Sequence, residues 1–190
     1  MLNIIISGAP GCGKGTQSAL IIDNYKLKHF STGDLLRNEI ESKTKLGLQA
    51  QNYIRKGNLV PDDMIISIIT HAINNLEPCC CGILFDGFPR TVAQAKALES
   101  LMNSLNNPID YLIDLQVPER ELISRLLIRG ETSGRSDDNL ETIMKRLEVY
   151  KTKTTPVFDY YKKLGKYIAV DGVGSIDAIF SRISEVLDKK

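Results

Sequence analysis

The chain has 190 residues, of which 43% are hydrophobic, and its 24 basic side chains nearly balance its 23 acidic ones. This length and composition predict one domain with a sizeable core, and the charge balance argues against a nonspecific nucleic-acid binder. No apolar stretch is long enough to span a bilayer and the N-terminus lacks the pattern of a secretory signal, so we expect a cytoplasmic protein with no membrane partner.

Short apolar runs alternate with longer amphipathic segments along the chain. The predicted strands are 2–6, 29–31, 83–85, 111–117 and 167–170, and the predicted helices that separate or follow them include 16–25, 91–105, 119–129, 140–150 and 175–187. Short buried strands alternating with helices are typical of βαβ units. We therefore predict an α/β fold, a three-layer α/β/α sandwich around a five-stranded parallel sheet.

Two segments interrupt this alternation. Residues 32–51 and 51–75 look helical throughout, with Gly47 and Gly57-Asn58 as punctuation and Pro61 opening a new helix, which predicts a small helical lobe inserted into the sheet topology. Residues 130–138, "GETSGRSDD", are polar and contain glycine, so we predict a mobile loop between two helices.

The cysteines are Cys12 and the run Cys79–Cys81. Adjacent cysteines cannot easily bridge each other or converge on one metal, and no Cys or His pair has zinc-like spacing. We therefore expect reduced thiols, as in a cytosolic protein. Nothing in the sequence indicates an obligate partner chain, which favours a monomer.

A glycine-rich turn, "GAPGCGKG", joins the first strand to the first helix. Gly8, Gly13 and Lys14 match the P-loop pattern G-x-x-x-x-G-K, in which backbone N–H groups and the positive helix end cradle phosphates while the lysine reaches the β- and γ-phosphates. The residue after the lysine is Gly15 where Ser or Thr is usual, with Thr16 one later. Nucleotide phosphate binding is therefore predicted, whereas a magnesium-ligand role for Thr16 is weakened.

Polar residues follow the ends of two further strands. Asp34 and Arg37 follow the second strand, and Asp86 and Arg90 follow the third. Because the carboxyl ends of parallel strands share one crevice, we expect these side chains beside Lys14. Asp86 is placed to hold a magnesium ion directly or through water, and the alternative is a cap at the strand end.

Further arginines surround the polar loop, and they are Arg125, Arg129, Arg135 and Arg146. Phosphoryl transfer needs alignment and positive charge on the moving group, and arginine binds phosphate bidentately. These side chains predict an oligophosphate clamp opposite the P-loop, and the alternative is a salt-bridged surface.

Five motifs resemble the adenylate kinase family in order and spacing. They are "GAPGCGKGTQ", "STGDLLR", "GNLVPD", "DGFPRT..Q" and "TSGRSDDN". The resemblance covers essentially the whole chain and is to the short-lid form, because only about seven residues link Arg129 to Asp137. The long-lid form, which sometimes carries zinc, has a larger insert, so the resemblance implies no structural zinc.

The resemblance implies a nucleoside monophosphate kinase that catalyses MgATP + AMP ⇌ 2 ADP and takes part in adenine nucleotide balance. It implies a division into a core of residues 1–30, 61–129 and 137–190, a monophosphate-binding lobe of residues 31–60 and a short lid of residues 130–136. The acceptor is an anionic phosphate, so no general base is needed and His29 and His71 are expected to have packing or surface roles.

The family's site residues carry over by motif. The positions implied to hold the ATP phosphates are Gly11, Cys12, Gly13, Lys14, Gly15 and Thr16. Contacts to the ATP end are implied for Arg129 and the backbone of Gly174. The positions implied to form the AMP site are Thr32, Arg37, Asn58, Leu59, Val60, Gly87, Phe88, Pro89, Arg90 and Gln94. Arg135 and Arg146 would grip phosphates at the junction, Asp86 would organise the Mg²⁺ of MgATP through its waters, and Asp137 and Asp138 would position the loop.

Two alternatives remain open at this stage. A UMP/CMP kinase has the same fold, but that group typically replaces the residues that stand here as Thr32 and Gln94, and an amide such as Gln94 can meet an adenine edge with its donor and acceptor. A non-catalytic P-loop nucleotide-binding module is less favoured, because the arginine set exceeds what binding needs. The guanine-specific N-K-x-D segment of a GTPase is absent.

Overall fold

The computed structural model describes residues 1–75, 81–133 and 137–189. Its strands are β1 (Leu2–Gly8), β2 (Lys28–Ser31), β3 (Gly82–Asp86), β4 (Tyr111–Gln116) and β5 (Tyr167–Asp171). They form a five-stranded sheet in the order β2-β3-β1-β4-β5, and every pairing is parallel. All five predicted strands are confirmed within two residues at each end.

Helices cover both faces of the sheet. They are α1 (Lys14–Tyr25), α2 (Thr32–Glu41), α3 (Lys45–Arg55), α4 (Asp62–Asn74), α5 (Val92–Ser104), α6 (Glu119–Ser133), α7 (Leu140–Val149), α8 (Thr155–Lys163) and α9 (Ile176–Leu187), with a π-helical turn, Tyr150–Thr154, between α7 and α8. In the described part of the chain, no helix is both long enough and apolar enough to cross a membrane.

The apolar run of β1 explains the three layers. Ile4, Ile5 and Ile6 are fully buried, and burying such a side chain stabilises the fold by about 1.5–3 kcal/mol. Because successive side chains of a strand point to opposite faces, Ile5 packs into one apolar cluster with Phe85, while Ile4 and Ile6 pack into a second with Ile113. The predicted three-layer α/β sandwich is therefore confirmed.

The helical insertion between β2 and β3 contains three helices, α2, α3 and α4. The predicted break at Gly47 is wrong, because this glycine lies inside α3. A Cβ at Gly47 would overlap the backbone carbonyl of Glu39 in α2, so glycine allows the two helices to approach closely. The chain reverses earlier, at residues 42–44, where the Thr44 hydroxyl caps α3. The predicted break at Gly57-Asn58 is confirmed.

Two elements near the polar loop differ from the prediction. Helix α6 passes Gly130 and ends at Ser133, so the first part of the predicted loop is helical. A Cβ at Gly130 would lie 2.6 Å from the carbonyl oxygen of Asp138, which gives glycine a packing role there. The π-helical turn and α8 fill residues 150–163, of which the sequence pattern had assigned only residue 150 to an element, the predicted helix 140–150. The run at residues 76–80, with Cys79 and Cys80, and the loop residue Arg135 lie outside the described residues.

Candidate active site

A cavity of about 760 Å³ opens at the carboxyl ends of β1, β2 and β3. Its walls come from the glycine-rich turn, the helical insertion, the loop after β3, and helices α6 and α7. The sequence-predicted residues that line it are Gly11, Gly13, Lys14, Gly15, Thr16, Thr32, Arg37, Asn58, Leu59, Val60, Asp86, Gly87, Pro89, Arg90, Gln94, Arg125, Arg129 and Arg146. The parallel sheet therefore brings most of the predicted site to one crevice.

The glycine-rich turn needs its glycines for backbone geometry. Gly8, Gly11 and Gly13 have φ values of 139°, 86° and 97°, a region that side chains with a Cβ rarely adopt. A Cβ at Gly8 would lie 2.7 Å from the carbonyl oxygen of Leu115 on β4. The turn therefore packs closely against the sheet, and its glycines Gly8, Gly11 and Gly13 line the cavity where α1 begins.

Lys14 begins α1 and folds back across the turn. Its Nζ donates hydrogen bonds to the carbonyl oxygens of Gly8 at 2.7 Å and Ala9 at 3.2 Å. These contacts hold the ammonium group over the turn, where a phosphate bound by the backbone N–H groups would meet it. The Lys14 Nζ also lies 3.5 Å from Cys12 Sγ, and the Cys12 side chain is 1% exposed and packs in the apolar cluster beneath the turn.

Asp86 ends β3 at the floor of the cavity. Ser18, fully buried on α1, donates to Asp86 Oδ2 at 3.1 Å, and Nε2 of His29 lies 3.5 Å from the same oxygen. Burial would raise the pKa of Asp86, but His29, Lys14 and Ser18 together lower it below its ordinary value. Asp86 therefore keeps its negative charge at neutral pH.

Arg90 lies between the glycine-rich turn and the helical insertion. Its Nε donates to the carbonyl oxygen of Gly87 at 2.7 Å, an oxygen that also accepts from the Thr32 hydroxyl at 2.9 Å. Its own carbonyl accepts from the Thr154 hydroxyl of the π-helical turn at 3.1 Å. Partial loss of hydration and repulsion by Arg146 lower the pKa of Arg90, although the residue stays exposed to solvent in the open cleft. Positive charge is therefore concentrated at the centre of the cavity.

Arg129 and Arg146 share one carboxylate, that of Asp138. Arg129 donates to it from Nε at 2.6 Å and Nη2 at 2.8 Å, and Arg146 donates from Nη1 at 2.8 Å. Arg146 also forms an ion pair with Asp137 Oδ2 at 2.8 Å. These pairs fix the two guanidinium groups along the wall formed by α6 and α7.

Arg37 and Arg125 are held by acidic neighbours on their own helices. Arg37 forms an ion pair with Asp34 one turn earlier on α2, and Arg125 forms one with Glu121 on α6. Both arginines line the cavity. Pairs that stay in contact with water are weak, so a nucleotide phosphate can displace the carboxylate at little cost.

Comparison with known proteins agrees with this geometry. The family model for adenylate kinase matches residues 6–166. The chain belongs to the adenylate kinase family. It is 53% identical over 188 residues to the adenylate kinase of Parabacteroides distasonis, covering 99% of this chain and 98% of that protein. It is 49% identical over 189 residues to those of Bacteroides thetaiotaomicron and Porphyromonas gingivalis, covering all of this chain and 100% and 97% of theirs.

Membership of the adenylate kinase family confirms the resemblance drawn from the motifs and the predicted class of activity, phosphoryl transfer. Cys12 and Phe88 are each 1% exposed and do not line the cavity, so contacts from them to a nucleotide would come from the backbone. Gly174 does not line the cavity, but its loop adjoins it, since Arg125 reaches the carbonyl oxygen of Gly172 at 3.4 Å.

Several residues that contact the site were not predicted to do so, and among them His29 was expected to have only a packing or surface role. Ser18 and His29 contact Asp86, Thr154 contacts the backbone of Arg90, and Asp62 contacts Gln94. Ser18 had a usable signal, because it lies one turn after Lys14 on a helix that faces the sheet. The other three contacts join separate elements, and no local pattern in the sequence marks them.

The described residues contain no group of three or more His, Cys, Asp or Glu side chains arranged to hold a metal ion. Asp86 lies close enough to Lys14 of the glycine-rich turn to interact with its charge, and it is a single ionised carboxylate. Such a group suits contact with the waters around a nucleotide-bound cation, and it does not form a metal cage of its own.

Proposed function

We propose that this protein catalyses the reversible transfer of the terminal phosphoryl group of MgATP to AMP, which yields two ADP. The observation that carries the proposal is one cavity with a P-loop on one wall, a helical lobe on the other, and Arg90 between them. Phosphoryl transfer requires two nucleotides in line and positive charge around the moving group, and a cavity with a candidate nucleotide site on each wall and arginines in its lining suits both requirements.

The P-loop side suits the triphosphate. Backbone N–H groups from Gly11 to Thr16 and the ammonium of Lys14 would hold the β- and γ-phosphates. Arg129 and the backbone of the loop around Gly174 would contact the ATP end. Arg182 of α9 supports that loop, because its Nη1 donates to the carbonyl oxygens of Asp171 and Val173 at 2.8 Å each.

The helical side suits the monophosphate. Arg37 and Arg90 would bind its phosphate, and residues 58–60 with Thr32 would enclose the nucleoside. Gln94, at the cavity wall after the Gly87–Pro89 loop, would meet the base edge. Adenine is favoured because an amide offers a donor and an acceptor side by side, and because the relatives are named adenylate kinases.

Phosphoryl transfer would take place at the junction between the two nucleotide sites. Arg90, Arg129, Arg135 and Arg146 would stabilise the charge on the oxygens of the moving group. The ionised carboxylate of Asp86, held by Ser18, fits a role in contacting the waters of Mg²⁺. When bound with ATP, Mg²⁺ neutralises charge on the β- and γ-oxygens.

We further propose how the chain is divided for this reaction. Residues 31–60 form the monophosphate-binding lobe, residues 130–136 the lid, and residues 1–30, 61–129 and 137–190 the core. Closure of the lobe and the lid excludes water, so the phosphoryl group meets AMP and is not hydrolysed; the adenylate kinase lid is itself a standard example of such motion. The protein acts as a cytoplasmic monomer.

Purified protein with MgATP and AMP, UMP or CMP tests the proposal by diphosphate formation. We expect ADP from AMP, with a kcat/KM at least about a hundredfold above that for either pyrimidine nucleotide, because a site built around hydrogen bonds rejects a base that leaves them unpaired. Chelation of Mg²⁺ by EDTA is expected to abolish turnover, and excess Mg²⁺ to restore it. A faster reaction with UMP or CMP would overturn the choice of AMP, and absence of diphosphate with all three would overturn the kinase.

A further inference from the structure

Gln94 is held at both ends of its side-chain amide. It is 2% exposed, and it reaches the cavity wall from the first turn of α5. Its Oε1 accepts from the backbone N–H of Arg90 at 2.7 Å, and its Nε2 donates to Oδ1 of Asp62 at 2.8 Å. Asp62 is the first residue of α4, so this contact joins α4 to α5 although the two residues are 32 positions apart in the sequence.

Asp62 makes a second contact that fixes its own position. Its Oδ2 accepts from the hydroxyl of Thr91 at 2.8 Å, and Thr91 in turn caps α5 by accepting from the backbone N–H of Gln94 at 3.2 Å. Both carboxylate oxygens are therefore directed at the start of α5. Within the described ranges no Lys, Arg or His side chain forms an ion pair with Asp62, so these two hydrogen bonds define what it does.

Chemistry allows the amide of Gln94 only one orientation here. An ionised carboxylate can only accept, so it must face the NH₂ group, and a backbone N–H can only donate, so it must face the oxygen. A flip of the amide would put oxygen against carboxylate and NH₂ against N–H, which loses both hydrogen bonds. This orientation leaves one N–H of Nε2 and one lone pair of Oε1 to bind a ligand in the cavity, and the two hydrogen bonds fix the position of each.

We propose that Asp62 is a specificity-determining positioning residue that selects 6-aminopurine over 6-oxopurine monophosphates by holding the amide of Gln94 in this orientation. The inference rests on the proposed function. Adenine presents an amino donor beside a ring-nitrogen acceptor, whereas hypoxanthine and guanine present a carbonyl acceptor beside an N–H donor. An amide in a single orientation matches only one of these orders, whereas an amide free to flip matches both.

The test is the ratio of kcat/KM for AMP to kcat/KM for IMP, with MgATP as donor, in wild type, D62A, D62N and D63A. In D62A one of the two anchors is lost, and we expect the ratio to fall about three- to tenfold, the equivalent of one hydrogen bond. The KM for AMP rises, while the KM for MgATP stays within twofold. D62N keeps an acceptor oxygen and recovers at least half of the lost discrimination.

Asp63 provides the matched control, because it is the next residue of the same helix terminus, carries the same charge and is exposed. D63A removes that charge without touching Gln94, so its AMP to IMP ratio is expected to equal that of wild type. An unchanged AMP to IMP ratio in folded D62A, or an equal fall of that ratio in D63A, overturns the inference. The proposed function stands in either case if the wild-type protein phosphorylates AMP. A wild-type protein that does not phosphorylate AMP overturns both.

A measurement on the wild type keeps the inference testable if D62A does not fold. The side-chain amide of Gln94 is observed by ¹⁵N–¹H NMR in the full chain. We expect one Nε2 proton to be shifted downfield and to exchange slowly, because it is hydrogen-bonded to a carboxylate. Two Nε2 protons that both exchange at the rate of a solvent-exposed glutamine would overturn the role assigned to Asp62.

Discussion

Substituting Asp138 by Asn tests how the two arginines of the α6–α7 wall are held. The Asp138 carboxylate is 0% exposed and accepts hydrogen bonds from Arg129 and Arg146. Breaking a buried ion pair by removing one partner costs about 3–5 kcal/mol. Arg129 and Arg146 remain 33% and 20% exposed, and Arg146 keeps its pair with Asp137, so the lower end applies. We expect D138N to lose about 3 kcal/mol of unfolding free energy.

The assay is urea unfolding followed by circular dichroism. With a slope of about 2–3 kcal/mol per molar urea for a protein of this size, the midpoint should fall by about 1–1.5 M. D159N is the matched control, because Asp159 is 69% exposed and pairs with Lys162 on the surface at 3.2 Å. Such a pair contributes less than about 1 kcal/mol, so D159N should shift the midpoint little.

The pH dependence provides a second check on the same variant. Burial would raise the pKa of Asp138, but hydrogen bonds from Arg129 and the charges of Arg129 and Arg146 lower it below its ordinary value. A group whose folded pKa is lowered stabilises the fold fully above its unfolded pKa of about 3.9, and this is lost as pH falls through the folded pKa. The stability gap between wild type and D138N should therefore be full at pH 7 and shrink below about pH 4. A midpoint equal to that of wild type, or a gap that stays constant to pH 2, would refute this account.

Three further substitutions probe the cavity. R90A should fold normally by circular dichroism and lose turnover by about a thousandfold, because Arg90 is proposed to bind the moving phosphoryl group, and near-normal turnover would remove Arg90 from the mechanism. T154V loses the hydrogen bond to the Arg90 carbonyl and should lower kcat about threefold to tenfold. T154S keeps the hydroxyl and should therefore keep the kcat of wild type. Equal kcat values for the two variants would contradict this role of Thr154. R182A frees the loop that carries Gly174 and should raise the KM for MgATP but not for AMP, so a matching rise in both would show a general loss of structure.

Much of the site was predictable because its signals are local. A glycine-rich turn after an apolar run specifies a phosphate cradle through backbone freedom alone, and Gly8, with a φ of 139°, shows that this freedom is used. The parallel sheet then follows from alternation of buried strands and helices, and it brings Asp86 and Arg90 to the crevice that the P-loop occupies.

The predictions about Gly47 and Gly130 were wrong because these residues lie where one element packs against another. Gly47 and Gly130 read as breaks because glycine is a poor helix former, yet both are helical and make room for a neighbouring backbone. The π-helical turn was not predicted because its polar segment, "YKTKT", has no apolar periodicity that would mark a helix. It nevertheless places Thr154 against the Arg90 loop.

The sequence by itself determined the strand order along the chain and the residue types that face phosphate, since these depend on periodicity and backbone freedom over a few neighbouring residues, and the family followed from the resemblance of five motifs. Only the tertiary structure decided which partners orient those residues. Three sets of hydrogen bonds join separate elements, and they are those of Asp62 with Gln94, of Ser18 with Asp86, and of Asp138 with Arg129 and Arg146. They exist because the packing of whole helices on the sheet brings these atoms within hydrogen-bond distance, and no local pattern encodes that distance.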